Sequence, residues 1–536
     1  MNAVLPIDAA SARALDIAWL DAQVLPASEY GLRAFAQRRA FSPGEEALAA
    51  AHAERIASVA SAVTPSALDA MRDVLRRAPD AAGALARATM GETLADPQFL
   101  ELQRCFDAVA AIDRYLAGIA QVERCSNDAV RAVTAGLEPG RSGAFGFYLA
   151  DAFDPNLVHL RSEVAQVQAH IDAHRGRAAA TVAAALGRSE ISGGEFIVMR
   201  AEMAHPLPPG VRVVREAATY LLCELDADDA MLDAIARRED ASRRVADGEE
   251  RARERLSHLV RSHAAGIDAA MDALGSLDVL LAQVRFTQMH ACMPARYASD
   301  ASIAFSDGRY LPMTEALALQ GRVFTPLALT IDGVAILTGP NMGGKSVALR
   351  TCGFIAACAA YGLPVPATNA RVALFDDIAW LGIGGEDERG SLLSSFAKEV
   401  VRLRDLLDRD AWRRLLLVDE FARTTTPAEG KALLIAVIAR LRERAICAVL
   451  ATHLDGLPQA SGARHLAVRG LAGIPKRPPT GNLDEALSAL AHSMDYTITE
   501  VTGDAAPRSD AVALAALLGL DDALIARAQE AFERQQ

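Results

Sequence analysis

The residues Gly339-Pro-Asn-Met-Gly-Gly-Lys-Ser346 decide the fold of the C-terminal part of this 536-residue chain. They follow the apolar run Ala335 to Thr338, which predicts a strand, and they precede Val347 to Ala360, which predicts a helix. A glycine-rich turn between a strand and a helix is the pattern of a phosphate-binding loop, because its backbone N–H groups turn inward at the positive end of the helix. The alternative is a glycine-rich turn that occurs here by chance.

The loop predicts a nucleotide site with assigned roles. Lys345 would reach the β- and γ-phosphates of ATP, and Ser346 would ligate Mg²⁺. We therefore predict ATP and Mg²⁺ as ligands. The predicted nucleotide-binding residues are Gly339, Pro340, Asn341, Met342, Gly343, Gly344, Lys345, Ser346 and Val347.

Two carboxylates end a second apolar run, Leu415 to Val418. Asp419 would join Ser346 as a metal ligand, and Glu420 would polarise the attacking water. Acidic residues end many strands without any catalytic role, but the position downstream of the loop favours a shared site. Glu420 and Lys345 are thus predicted catalytic residues.

Two further segments carry candidate residues. His453 follows the apolar run Cys447 to Ala451, where it would touch the γ-phosphate as a third predicted catalytic residue; the alternative is an ordinary surface or core histidine. The Gly- and Ser-rich segment from Gly382 to Phe396 contains Ser394 and Ser395. These serines would complete the site of a second subunit, or they would cap a helix after a solvated loop.

Composition excludes several classes of protein. The net charge of −13 and the 5% aromatic residues argue against a protein that coats nucleic acid by overall attraction. Seven scattered cysteines without a CxxC pair predict reduced thiols and no structural zinc. No window predicts a membrane span, and Met1 to Leu20 lacks a secretory signal pattern, so we expect a cytoplasmic protein without a membrane partner.

The chain is long enough for about three or four domains. Ala- and Leu-rich helical spacing comes first, followed by a helix from Pro155 to about Ala185, two short strands at Glu195 to Met199 and Val211 to Val214, and a long charged helix. That helix carries an apolar stripe as far as Leu274. Short apolar runs alternating with helices then predict a doubly wound parallel sheet.

Together these motifs resemble the MutS family of mismatch-repair and recombination ATPases. The resemblance rests on Thr338 to Ser346, on Ser394-Ser395-Phe396 with Glu399, on Asp419-Glu420, and on Ala451-Thr-His453. It implies a multidomain protein with α-helical core and lever domains, a small β-rich clamp and a C-terminal α/β P-loop NTPase domain of the ABC type. The implied domains are a core (1–154), a first lever helix (155–188), a clamp (189–228), a second lever helix with the return to the core (229–300) and the ATPase domain (301–536).

The chain also departs from the family pattern. It starts directly with core-like helices, so we expect a short form without the mismatch-recognition and connector domains. Arg212 and Arg215 of the clamp segment stand among Val213, Val214, Glu216 and Thr219, where DNA-binding members carry several basic residues, which implies weak phosphate contact. Phe421-Ala-Arg423 replaces the family's usual glycine-bearing run, and Arg423 would stabilise charge across a dimer interface or form a surface ion pair.

Three functions remain open from the sequence. The first is an ATP-dependent DNA-binding protein that works as a homodimer, whose composite site moves the levers and clamp. The second is a protein-remodelling ATPase, resembling MutS-like reactivating factors for cobalamin-dependent aminomutases that act with a MutL-like partner. The third is a nucleotide-binding scaffold without useful hydrolysis.

Overall fold

The computed structural model divides into two compact units. The sheet unit comprises Met1–Arg77, Arg114–Arg124 and Asp272–Gln536, and the hairpin unit comprises Ala78–Asp113 and Cys125–Met271. The structure describes residues 6–119, 121–143, 146–191, 194–203, 206–340, 343–382, 395–409, 411, 413–423, 425–444, 446–471, 493–501, 512, 515–516 and 520–534, with only the backbone at 202, 395, 471, 532 and 533.

The elements are numbered in chain order. The helices are α1 (Ala9–Ala14), α2 (Ile17–Gln23), α3 (Glu29–Ala36), α4 (Glu46–Ala62), α5 (Pro65–Arg77), α6 (Ala82–Thr89), α7 (Asp96–Tyr115), α8 (Asp128–Leu137), α9 (Pro155–Ala185), α10 (Asp229–Ser262), α11 (Ala264–Met289), α12 (Leu311–Leu319), α13 (Lys345–Ala360), α14 (Ser395–Asp408), α15 (Pro427–Glu443), α16 (Leu457–Ser461) and α17 (Asp522–Glu533). The strands are β1 (Arg141–Ser142), β2 (Gly146–Phe147), β3 (Phe196–Met199), β4 (Val211–Glu216), β5 (Tyr220–Leu225), β6 (Arg296–Ala298), β7 (Ile303–Gly308), β8 (Leu327–Ile331), β9 (Val334–Thr338), β10 (Thr368–Ala373), β11 (Asp377–Gly382), β12 (Arg414–Asp419), β13 (Cys447–Ala451), β14 (Arg464–Leu471) and β15 (Met494–Glu500).

The hairpin unit is built on the long helices α9 and α10. Asp154 caps the start of α9, because its side chain accepts a hydrogen bond from the backbone N–H of Asn156. Pro155 suits the first helical position, where no backbone N–H is needed. The two helices run antiparallel, since Glu163 pairs with Arg244 while Ile171, further along α9, packs with Met231. Both of the long helices that the sequence predicts are therefore present, and they form a hairpin.

The charged helix ends earlier than its apolar stripe suggested. It stops at Ser262, and α11 begins at Ala264, so the stripe to Leu274 belongs to two helices and not to one. His263 separates them: its N–H donates to the carbonyls of Val260 and Arg261, and its ring bonds to the carbonyl of Leu259. The backbone N–H and the ring of His263 together satisfy carbonyls of the last turn, and the helix ends without any proline.

The predicted β-rich tip is a three-stranded antiparallel sheet, which we call the clamp sheet (β3, β4 and β5). The order is β3-β5-β4, so the central strand, β5, is one that the sequence did not predict. Phe196, Val198, Leu221 and Cys223 form its buried face together with Val182 of α9. Period-2 alternation thus divides the sheet into a packed face and an outer face.

The sheet unit contains a six-stranded sheet in the order β11-β12-β13-β9-β14-β15. Its first five strands are parallel and β15 is antiparallel. The runs predicted as buried parallel strands are β9, β12 and β13, and all of their apolar residues are buried. The carboxyl ends of β9, β12 and β13 therefore meet at one edge, where a site forms in this class of sheet.

A second sheet in this unit has the order β6-β10-β7-β8 and is mostly antiparallel. It was not predicted, because its strands are short and their apolar residues do not form continuous runs. The fold is therefore a mixed α/β architecture with several sheets. Among the described helices, none is both long and apolar enough to cross a bilayer.

Candidate functional site

The glycine-rich loop joins β9 to α13 and shapes a turn that other residues cannot adopt. Gly339 has φ of 148° and Gly344, the N-cap of α13, has φ of 85°. A Cβ on Gly339 would lie 3.0 Å from the Cβ of Val468, and one on Gly344 would lie 3.1 Å from Cδ1 of Tyr496. Both conformation and space therefore require glycine. Of the predicted residues, Asn341 and Met342 lie outside the described part of the chain.

The amides at the start of α13 make this loop a place for an anion. The first N–H groups of any helix lack an intrahelical partner, and the helix dipole adds positive potential there. Gly343 closes the turn by donating its N–H to the Pro340 carbonyl at 3.0 Å. Val347, predicted as a binding residue, lies in the first turn of α13.

Lys345 is buried in the loop. Its ammonium group donates to the carbonyls of Gly339 at 2.9 Å and Pro340 at 3.2 Å, and lies 4.0 Å from Oε1 of Glu420. Burial lowers the pKa of Lys345, although the negative charges of Glu420 and Asp419 act to raise it. A buried cation held by weak neutral acceptors is poised to exchange them for phosphate oxygens.

Ser346 and Asp419 meet directly. The Ser346 hydroxyl donates to Oδ1 of Asp419 at 3.0 Å, which joins the first turn of α13 to the end of β12. Burial raises the pKa of Asp419, the hydrogen bond from Ser346 lowers it, and the charge of Glu420 raises it again.

A hydroxyl and a carboxylate oxygen at this spacing suit Mg²⁺, which prefers hard oxygen ligands and takes only one or two carboxylates beside substrate phosphates. The pair Ser346 and Asp419 therefore fits magnesium bound together with a phosphate ligand.

Glu420 sits on a left-handed turn after β12. Its φ is 52°, and its N–H donates to the carbonyl of Ala451 at 3.0 Å. Its carboxylate lies between Lys345 and Arg423, whose guanidinium is 3.7 Å from Oε2. The structure thus brings Lys345, Ser346, Asp419 and Glu420 into one site, and in this chain Arg423 forms an ion pair.

The other predicted residues have mixed placements. His453 follows β13, which lies between β12 and β9, and its side chain is exposed. Ser394 lies outside the described residues, and Ser395 is described only as the first backbone position of α14.

Some residues at the site were not predicted. His465 on β14 is buried and shares a 2.8 Å hydrogen bond between its Nε2 and Oγ1 of Thr338, the last residue before the loop. Burial lowers the pKa of His465. Glu399 accepts the N–H of Ala422 at 2.8 Å. The sequence offers no local signal for His465, whereas Glu399 belongs to the segment that carries the family resemblance.

The chain is similar in sequence to known proteins. The family model described as MutS domain V matches residues 335–535. The DNA mismatch repair protein MutS of Rhodopseudomonas palustris (strain BisA53) is 28% identical over 95% of this chain and 57% of its own length. The Endonuclease MutS2 of Gemmatimonas aurantiaca is 30% identical over 52% of the chain and 32% of its own length.

A further relative is the DNA mismatch repair protein MutS of Granulibacter bethesdensis, which is 31% identical over 54% of the chain and 31% of its own length. The chain spans about half of the first of these relatives and about a third of the other two. The similarity covers nearly the whole of this chain in the first relative and about half of it in the other two, and in each case only part of the relative.

Proposed function

Because the chain belongs to the MutS family, we propose that it is an ATPase of that family which binds and hydrolyses ATP at the loop Gly339–Ser346. The observation that carries the proposal is the 3.0 Å hydrogen bond between Ser346 and Asp419, beside the buried Lys345. It joins the phosphate-binding loop to the carboxylate strand end, which are 73 residues apart in sequence. This is the arrangement that phosphoryl transfer requires.

In the proposed reaction the chain mainly positions the triphosphate and neutralises its charge. Backbone N–H groups from Gly343 to Val347 surround the phosphates, and Lys345 leaves the carbonyls of Gly339 and Pro340 to bind the β- and γ-phosphates. Ser346 and Asp419 hold Mg²⁺, which supplies charge neutralisation at the phosphates. Glu420 accepts a proton from the water whose oxygen attacks the γ-phosphorus, and ADP leaves.

The remaining predicted residues act around this centre. His453 lies at the same edge of the sheet and would contact the γ-phosphate, so that it reports whether ATP or ADP is bound. Ser394 and Ser395 would reach the nucleotide of a second copy of the chain. We therefore propose a homodimer in which nucleotide state biases the lever helices and the clamp between two arrangements.

The test of the ATP site is a binding titration with Mg²⁺ and ATP on the wild type and on Lys345→Ala. We expect magnesium-dependent binding by the wild type and a loss of about tenfold or more in the variant, because a charged hydrogen-bond partner of the phosphates is removed. Equal affinity in the two proteins would refute the assignment of the loop.

DNA is the partner that the relatives' names favour. The proposal predicts salt-sensitive binding to duplex or branched DNA that changes when ATP is added, since phosphate contacts release counterions. The measurement is a DNA-binding titration with and without ATP at several salt concentrations. Absence of binding at low salt in both nucleotide states would exclude DNA as the partner.

A protein partner is the second candidate, and the clamp sheet supplies the observation in its favour. Arg212 is paired with Glu224, and Arg200 with Glu216 at 2.9 Å, so these cations are already neutralised. Ile197, Met199 and Val214 are exposed by 48%, 41% and 46% on the same sheet. Exposed apolar residues among paired charges suit a protein surface better than DNA phosphates.

Under that alternative the chain remodels a protein, such as an aminomutase, with a MutL-like partner. Recovery of an aminomutase in a pull-down, together with no DNA binding at low salt, would support it. A nucleotide-binding scaffold without hydrolysis is the third hypothesis. Equal rates of phosphate release by the wild type and Glu420→Gln would favour that scaffold, because they would show that Glu420 is not catalytic.

A further inference from the structure

The turn that carries Glu420 is held in a conformation that its residues do not favour. Glu420 and Ala422 have φ values of 52° and 63°, in the left-handed region that non-glycine residues rarely adopt. Such a conformation persists only where the surrounding contacts determine it. The direction of the Glu420 carboxylate therefore depends on whatever holds this turn.

The backbone hydrogen bonds of the turn identify the holding groups. The Glu420 N–H donates to the Ala451 carbonyl at 3.0 Å, and the Thr425 N–H donates to the Ala422 carbonyl at 3.3 Å. The Ala422 N–H donates to Oε2 of Glu399 at 2.8 Å. Of these three acceptors, only Oε2 of Glu399 belongs to a side chain. Glu399 lies on the helix α14.

Packing confines the same turn from two sides. Phe421 and Ala422 are 5% and 6% exposed, and the Phe421 ring lies 6.5 Å from that of Phe396 on α14. On the other side, a Cβ on Gly430 of α15 would lie 3.4 Å from the Cβ of Ala422. The buried N–H of Ala422 thus needs its acceptor, because water cannot readily replace Glu399 there.

We propose that Glu399 is a positioning residue for ATP hydrolysis, which sets the backbone of the Glu420–Ala422 turn and so directs the Glu420 carboxylate. The proposal rests on the function proposed above. Glu399 does not need to touch the nucleotide in order to act. Its role requires an acceptor oxygen at this position and does not require a negative charge.

The helix that presents Glu399 is itself anchored. Arg402, one turn further along α14, donates to both carboxylate oxygens of Asp8 at 2.6 Å, and Arg409 lies 2.7 Å from Oδ2 of the same residue. Asp8 and α14 both belong to the sheet unit. Glu399 therefore acts from a fixed support, which a positioning role requires.

The experiment compares Glu399→Ala and Glu399→Gln with the wild type, with Arg404→Ala as the control on an exposed face of the same helix. Steady-state kcat and KM, MgATP affinity and Tm are measured on each full-length protein. Hydrogen–deuterium exchange of the segment 418–426 is followed without nucleotide. We expect Glu399→Ala to lower kcat about tenfold or more with MgATP affinity within about twofold, and to speed exchange of the segment.

Glu399→Gln separates positioning from charge, because its amide oxygen can still accept the Ala422 N–H. We expect it to restore most of kcat and the slow exchange. The proposal is overturned by an unchanged kcat in Glu399→Ala, or by a Glu399→Gln variant as impaired as Glu399→Ala at an unaltered Tm.

The two proposals fail in different ways. A wild type that neither binds nor hydrolyses MgATP would refute the ATPase function. Exchange of the segment in the nucleotide-free protein would still decide whether Glu399 orders the turn. Equal exchange in the wild type and Glu399→Ala would refute the positioning role whatever the activity.

Discussion

The chemical properties of the site residues depend on their neighbours as well as on their residue type. These residues are Lys345, Ser346, Asp419 and Glu420. Lys345 is buried with backbone carbonyls as its acceptors, and Asp419 is partly buried with the Ser346 hydroxyl as its donor. Burial lowers the pKa of Lys345 and raises the pKa of Asp419, so it favours the neutral form of both side chains. A triphosphate would add negative charge beside Lys345 and its metal would add positive charge beside Asp419, so binding and ionisation favour each other.

Glu420→Gln is the sharpest single-residue prediction. The amide keeps the shape of the side chain but cannot accept a proton, so we expect hydrolysis to fall by about a hundredfold or more while MgATP affinity changes little. Phosphate release and nucleotide titration measure the two effects. Glu443→Gln, exposed on α15 and paired with Arg440, should match the wild type in both.

A second residue-scale prediction concerns Gly344→Ala. A side chain there meets the Tyr496 ring at 3.1 Å and must adopt a φ of 85°, so we expect a loss of about 1–3 kcal/mol in stability together with weaker MgATP binding. Gly176→Ala is the matched control, because nothing lies within 4 Å of the Cβ that would be added on the helix α9. The control should stabilise the protein by about 0.5–1 kcal/mol. Denaturant unfolding measures both, and equal changes would contradict the structure of the loop.

At the scale of elements, the segment from Pro6 to Asp16 is packed into the six-stranded sheet and α13. The Ile378 N–H on the edge strand β11 donates to the Pro6 carbonyl at 2.6 Å, and the Trp380 N–H donates to Oγ of Ser11 at 2.8 Å. Leu15 fills the space beside Gly353 of α13, where a Cβ would lie 2.6 Å from its Cδ2. N-terminal residues thus complete an edge of the sheet that contains the site.

Asp8 makes this contact sensitive to acid. Burial raises its pKa, but hydrogen bonds from Arg402, Ser11 and Arg409 hold the pKa at about 2, below the ordinary value of 3.8. A carboxyl whose folded pKa is depressed stabilises the protein above its unfolded pKa and loses that effect as the pH falls through the folded value. The stabilisation is therefore present above about pH 4 and disappears toward pH 2.

We expect Asp8→Asn to lower the free energy of unfolding by about 1–2 kcal/mol at pH 7, a figure reduced for solvent screening of a partly exposed carboxyl. The difference from the wild type should shrink as the pH falls below about 4. Denaturant midpoints from pH 7 to 3 measure it, with Asp73→Asn, exposed on α5, as the control. A constant difference across this range would show that the Asp8 charge is not responsible.

At the scale of the whole molecule, the seven cysteines share one kind of environment. All of them are free and buried. Burial raises the pKa of Cys125, Cys292 and Cys447 to about 12, which suppresses the reactive thiolate. We expect a thiol reagent to modify the native protein slowly and all seven residues after unfolding. Rapid modification of the native protein would mean that part of the buried interior opens readily.

Substitutions in the clamp sheet can distinguish DNA from a protein as the binding partner. If DNA binds there, replacing Arg212 and Arg215 by alanine should weaken binding to all sequences alike and reduce the salt slope by up to about two. If a protein binds there, the same variant should bind DNA no differently from the wild type. Replacing the exposed Ile197 by aspartate should then abolish capture of the protein partner.

Several parts of the fold follow from the sequence because their signals are local. The loop from Gly339 to Ser346 is predicted by its run of glycines, by the apolar strand before it and by the helix after it. The same holds for β12, which ends at Asp419 with Glu420 directly after it, and for the helix α9, which ends at Ala185 as predicted. The roles of the site residues and the domain boundaries stay predictions.

Tertiary structure alone decided which of these local pieces meet. The contact of Ser346 with Asp419 depends on the register of β12, β13 and β9, and strand register is set by packing across the whole sheet. The bond from Ala422 to Glu399 and the sheet formed by β6, β7, β8 and β10 join segments far apart in the chain. Local periodicity shows which side chains are buried but not against what they are buried, so the sequence determined the parts of the site and the packing of distant segments determined their geometry.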